Sequence, residues 1–261
     1  MYTEQRYKEL IALIKTEGYT FRTFTDDLPP KSLLLRHDID YSVEWAKRFA
    51  EINHALGVTA TFKFQLHSPL YNLHSYPVLR TIREIAALGQ RIACHFTVPP
   101  DLPDDDEAVT KLVLDDVKRL QAVLPHTPID PVISIHSPSA HPSVFKRFKQ
   151  LRIEGFKNAY GPEFTEAIKY ISDSNLRYTF EELVAHIRAG HARIQLLLHP
   201  FQWLAEEKTM PDVILTTMQH ILTELEREEI LTNHPYRAAY PHGCIAAAPR
   251  RLLRDTFSMK K

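Results

Sequence analysis

Short apolar runs alternate with helical stretches at intervals of roughly 25–40 residues, and this alternation limits the possible folds more than any other feature. The runs fall near residues 33–40, 59–64, 91–96, 132–137, 156–159, 167–174 and 192–199. Helical periodicity occupies 4–17, 42–56, 77–88, 104–124, 142–151, 179–188 and 211–229. Gly18, Gly57 and Gly89 stand at the ends of the first three helices, where a left-handed residue closes the last turn. Strands separated by helices pair in parallel, because each crossover needs a dozen or more residues. Seven such units predict an α/β fold in a closed or nearly closed barrel. No shift of composition or Gly/Ser linker divides the chain. A single domain is expected over 1–261, with an N-terminal helical segment at 1–28, a barrel core over about 30–232 and a tail at 233–261.

The first run, Leu33-Leu34-Leu35-Arg36-His37-Asp38-Ile39-Asp40, packs three ionisable groups into its last four positions. Alternate side chains of a strand share a face, so Asp38 and Asp40 point one way and His37 the other. Two carboxylates on one face repel unless a cation or a shared proton lies between them. Three further runs end in a metal-capable residue: His95, His136 and His199. In a parallel barrel these ends meet at the C-terminal rim, where active sites lie. Asp and His together suit a divalent ion such as Zn2+, which polarises a carbonyl and acidifies a water. Metal-assisted hydrolysis is therefore the expected reaction class.

Other features have plainer readings. Lys plus Arg and Asp plus Glu both number 32, so net charge gives no case for nucleic acid or an anionic membrane. Cys94 and Cys244 cannot make a disulfide framework, and alternation turns Cys94 toward the helices as a buried thiol. No stretch approaches a membrane span or a signal core, so a cytoplasmic protein is expected. The acidic run at 104–107 reads as a helix's first turn. Tyr71 and Asn72, in the loop after the second strand, and Trp203, just beyond His199, are candidate substrate contacts. His67 and His74 are expected at the surface, and Trp45 in packing. The basic residues of the tail, Arg250, Arg251, Arg254, Lys260 and Lys261, are expected at a frayed surface.

Arg36-His37-Asp38-Ile39-Asp40, Gly89-Gln90-Arg91-Ile92-Ala93-Cys94-His95-Phe96 and Leu197-Leu198-His199-Pro200 resemble motifs of the polysaccharide deacetylase (NodB-homology, carbohydrate esterase) family. The similarity covers about 30–205 and is nearest to the branch with a His-Asp-Val-Asp type first motif. The resemblance implies a distorted (β/α)7 TIM-like barrel, a divalent metal and removal of N-acetyl groups from a sugar or polysaccharide precursor. It makes Asp38 the catalytic base, Asp40 and His95 metal ligands, and His199 the catalytic acid, oriented by Asp173. An acetylated carbohydrate is the implied partner. Two departures stand out. Pro99 occupies the place of the second metal His, and Ile135-His136-Ser137-Pro138-Ser139 replaces an Arg-Pro-containing motif. His136 is expected either to supply the missing metal ligand or to orient Asp38. Failing both, the chain would be a degenerate barrel that binds a glycan or a partner without turnover.

Overall fold

The computed structural model describes residues 1–228 and 230–244. Among these residues eight parallel strands form one curled sheet: β1 (Thr20–Arg22), β2 (Ser32–Ile39), β3 (Thr61–Phe64), β4 (Arg91–Phe96), β5 (Ile129–Ile135), β6 (Lys157–Asn158), β7 (Lys169–Ser172) and β8 (Arg193–Leu198). The spatial order is β6-β5-β4-β3-β2-β8-β7, and β1 pairs with the first residues of β2. The chain is thus a distorted (β/α)7 barrel with an extra short strand that periodicity did not reveal. Three residues are too few to display an alternation.

The sheet closes incompletely, since among the described residues β6 and β7 share no ladder. Side chains span that seam instead. Gln195 Nε2 donates to the carbonyls of Ala159 and Phe164, and the rings of Tyr160 and Tyr170 meet at 6.2 Å.

Both faces of the strands are covered, as a parallel sheet requires. Outward-facing Phe62, Phe64, Ile92, Cys94, Phe96, Ile133, Ile135, Leu196 and Leu198 join the main core with the apolar faces of the helices. These include α1 (Glu4–Thr16), α2 (Val43–Ala55), α3 (Tyr76–Ala87) and α4 (Asp106–Val123). Inside the barrel, Phe24, Leu34, Ala93, Val132, Ala159, Phe164 and Ile168 fill the N-terminal end. The polar ends of the strands are thereby raised to the opposite rim.

Local chemistry fixes the helix starts. Ser42 caps α2 by accepting from Trp45 N–H, and Asp105 caps α4 by accepting from Ala108 N–H. The acidic run is therefore a first turn, as expected, with Asp104 and Asp106 paired to Arg147. Gly57 and Gly89 follow α2 and α3 at φ +62° and +80°, conformations that a side chain would strain.

His37 points out of the barrel into a closed hydrogen-bond network. Its Nδ1 faces the carbonyl of Leu198, while Nε2 faces Asn53 Nδ2 and the hydroxyl of Tyr7. Burial holds its pKa down to about 3, against the pull of the Leu198 carbonyl, so the ring stays neutral. Burial likewise pushes the Cys94 thiol up to about 12.

After β5 come α5 (Pro142–Phe148) and α6 (Pro162–Thr165); α7 (Phe180–Arg188) follows β7. Beyond β8, α8 (Pro200–Leu204) leads to the long α9 (Met210–Glu228). The segment expected to be a tail begins as a further short helix, α10 (His234–Ala239). Its basic residues from Arg250 onward lie outside the described residues. No helix among the described residues is long and apolar enough to cross a membrane.

Candidate metal centre and active site

The inner face of β2 presents Arg36, then Asp38, then Asp40 toward the rim. Arg36 and Asp38 are both buried, and the guanidinium grips the carboxylate through two contacts, Nε to Oδ1 at 2.8 Å and Nη2 to Oδ2 at 2.6 Å. Tyr160 covers the guanidinium, its ring centre 4.4 Å from Cζ. Burial raises the pKa of the Asp38 carboxyl, but Arg36, His95 and His199 outweigh it and hold the group far below the usual carboxylate range.

Asp40, one step further out, meets three histidines from three other strands. Its Oδ1 lies 3.1 Å from His136 Nδ1 and 3.4 Å from His95 Nε2, and its Oδ2 lies 3.8 Å from His199 Nε2. Asp40, too, is held well below the ordinary range: burial raises its pKa, and His136, His95 and His199 overcome it.

Both His95 and His136 arrive in the right orientation because their strands stay in phase. Between β4 and β5 the register slips, with Ile92 opposite Ile129 but Cys94 opposite Ile133. The slip adds an even number of residues, so Ser134 and His136 remain on the inner face with His95. Ser134 Oγ then holds His95 Nδ1 at 2.8 Å, and Ser137 Oγ holds His136 Nε2 at 3.0 Å. When those outer nitrogens donate, His95 Nε2 and His136 Nδ1 are left with lone pairs aimed at Asp40.

Asp40, His95 and His136 offer three ligand atoms within 4.8 Å of one another. Ligands ~2.0–2.1 Å from a tetrahedral ion sit about 3.3–3.4 Å apart, so the separations at Asp40 fit a shared divalent ion. The position where the resemblance puts a second metal His is Pro99, half-buried on the segment after β4. His136 reaches the same cluster from the neighbouring strand.

His199 ends β8. Its Nδ1 contacts Asp173 Oδ1 at 2.5 Å, and its backbone N–H donates to Asp173 Oδ2. The indole N–H of Trp203 donates to that second oxygen at 2.9 Å. Burial alone would lower the imidazole's pKa; Asp173, then Asp40 and Asp38, raise it to about 9. The ring is therefore protonated at neutral pH, with Nε2 toward Asp40.

The cleft over these groups has a volume of about 530 Å³, within the ~300–1,000 Å³ of small-ligand sites. Tyr41, Phe145, Tyr160, Tyr170 and Phe201 supply aromatic walls, and Arg177 lines the rim. Asp38, Asp40, His95, His136 and His199 all open into this cleft, as the strand-end pattern predicted.

The three expected sugar contacts lie elsewhere. Trp203 is fully buried, so its indole positions Asp173 rather than facing a ligand. The Tyr71 hydroxyl is engaged in the wall, donating to the Ile39 carbonyl and accepting from Gln65 N–H. Tyr71 and Asn72 line a separate, apolar depression beside the cleft. His67 and His74 are exposed as expected, and Trp45 stacks on His220 at 4.4 Å.

Sequence reasoning missed Arg36 and Gln65. Gln65 Nε2 donates to Asp40 Oδ1 at 3.3 Å, and its Oε1 accepts from the Thr97 hydroxyl. The signal for Arg36 was available, since the period of two that joins Asp38 to Asp40 also joins Arg36 to Asp38.

No family model and no curated protein matches the chain. Among solved structures, it is similar to a mutant of BA3943 described as a CE4 family pseudoenzyme with restored enzymatic activity. That match has 16% identity over 77% of this chain and 65% of the other, with a TM-score of 0.44. The wild-type BA3943 pseudoenzyme from Bacillus anthracis matches at 15% identity over 78% and 63% of the two chains, with a TM-score of 0.43. The chain thus spans just under two thirds of the length of each.

Proposed function

We propose that the protein is a metal-dependent hydrolase that removes N-acetyl groups from a sugar or polysaccharide precursor. The observation that carries this reading is the convergence of Asp40, His95 and His136 between a buried carboxylate, Asp38, and a protonated histidine, His199. The motif resemblance of the sequence supports the acetylated-sugar substrate.

A divalent ion such as Zn2+ held by Asp40, His95 and His136 would supply a Lewis acid for the amide carbonyl and acidify a water. Asp38 lies 3.5 Å from His95 through Oδ2, beside the same cluster, and stays ionised through Arg36. It takes the proton of the water as oxygen attacks the carbonyl carbon. His199 gives its Nε2 proton to the amide nitrogen as the C–N bond breaks, so acetate and a free amine leave. Asp173 fixes the tautomer and orientation of that ring through Nδ1. The aromatic walls exclude water and pack against the faces of a sugar ring.

A second reading, glycan binding without turnover, draws on the Arg36 contact: a carboxylate with both oxygens on a guanidinium is a weak base. One assay separates the two. Acetate release from acetylated chito-oligosaccharides, with added Zn2+, is expected for the wild type and reduced by ~10²–10⁴-fold in Asp38→Asn and in His199→Ala. Full release by both variants refutes the assignment; oligosaccharide binding with no release by the wild type supports the second reading.

A further inference from the structure

The depression that holds Tyr71 and Asn72 lies against the catalytic cleft and shares two of its walls, Tyr41 and Leu70. It measures about 170 Å³ and is bounded by the start of α2, the segment 70–80 and α9. Val43, Val78, Ile221 and Leu225 make its lining apolar. The charged residues at its edge each have a partner outside the depression: Glu44 accepts from Thr81, Arg80 lies 4.0 Å from Glu84, and Glu224 pairs with Arg227. At its outer end Leu225 and neighbouring Leu222 are exposed, as is Tyr76 at the start of α3.

A sugar hydrolase that reads only hydroxyl groups gains nothing from an apolar depression beside its reacting centre. From this adjacency we infer that the acetylated sugar carries an alkyl aglycone, which lies in the depression while the acetamido group meets Asp40, His95 and His136. The inference rests on the deacetylase reading for the sugar, and it adds the class of group attached to that sugar. Tyr41 sits at the junction, following Asp40 in sequence and packing on Phe201 with ring centres 4.5 Å apart. It separates the polar chamber from the apolar one. Each methylene taken out of water is worth about four-fold in affinity, so three or four of them change binding by about 100-fold.

Equilibrium binding tests this without requiring turnover. Methyl and octyl 2-acetamido-2-deoxy-β-D-glucopyranosides are titrated into the full chain by calorimetry, below the micelle concentration of the octyl compound. The octyl glycoside is expected to bind at least about ten-fold more tightly. That advantage should fall below about three-fold in Leu225→Glu, an exposed position that folding tolerates, and in Val78→Gln, with methyl glycoside affinity unchanged. Equal affinity for the two glycosides overturns the inference and leaves the sugar reading standing. An advantage that persists in both variants overturns it as well, because the chain then lies elsewhere. If neither glycoside binds, the sugar reading fails and takes the inference with it.

Discussion

Arg36 and Asp38, two residues apart on one strand, form a buried ion pair with two parallel contacts at 2.8 and 2.6 Å. The pair sits beneath the ligand cluster and decides the state of the nearest carboxylate. Removing one partner of such a pair leaves a buried charge without compensation. Arg36→Leu is therefore expected to destabilise the protein by about 3–5 kcal/mol in urea unfolding. The double change Arg36→Leu with Asp38→Leu should recover most of that loss, since it leaves no charge stranded. If the single change costs nothing, the pair does not govern the strand.

On the deacetylase reading, the contact between His199 and Asp173 sets a pH limit on activity. The imidazole's pKa is raised to about 9, so its charged form, and the stability it contributes, are fully present below the unfolded value of about 6.5. Both are lost as pH rises through 9. The kcat/KM profile for acetate release should fall on its alkaline side near that value. Asp173→Asn should move that limb down by about one to three pH units. An alkaline limb that stays in place would separate His199 from the proton transfer.

His37 makes the opposite prediction for stability. Its folded pKa, about 3, lies below the unfolded value, so the unfolded chain binds the extra proton first. Its contribution is present above about pH 6.5 and is lost as pH falls toward 3. One such group gives a slope of up to about 1.4 kcal/mol per pH unit. Burial also depresses His95 and His220, so the wild-type slope combines several groups. His37→Gln, which keeps a donor and an acceptor, should flatten the dependence of unfolding free energy between pH 6.5 and 4 relative to wild type. An unchanged slope would contradict the buried neutral ring.

Much of the architecture was legible because alternation in the sequence maps directly onto faces of strands. The seven apolar runs became β2 through β8, and the same bookkeeping placed Asp38, Asp40, His95 and His136 on the inner face. What escaped had specific causes. β1 is three residues long, shorter than the period needed to recognise it. Trp203 looked like a cleft residue because it follows His199 by one helical turn. The direction of that turn, which carries the indole inward to Asp173, is set by packing on Tyr2 at 4.3 Å. Tyr71 is drawn into the wall by two backbone groups whose position depends on how the loop folds back. The role of Ser134 depends on the register between β4 and β5, which a one-dimensional pattern does not contain.

The central claim is that Asp40, His95 and His136 together hold one divalent ion, with His136 in place of the histidine that Pro99 displaces. Titration of Zn2+ into metal-stripped protein, read by calorimetry and checked by elemental analysis after dialysis, tests it most directly. The account predicts one equivalent for the wild type and loss of that equivalent in Asp40→Asn, His95→Ala and His136→Ala. A wild-type chain that binds no ion, or a His136→Ala variant that keeps the full equivalent with unchanged affinity, would contradict it.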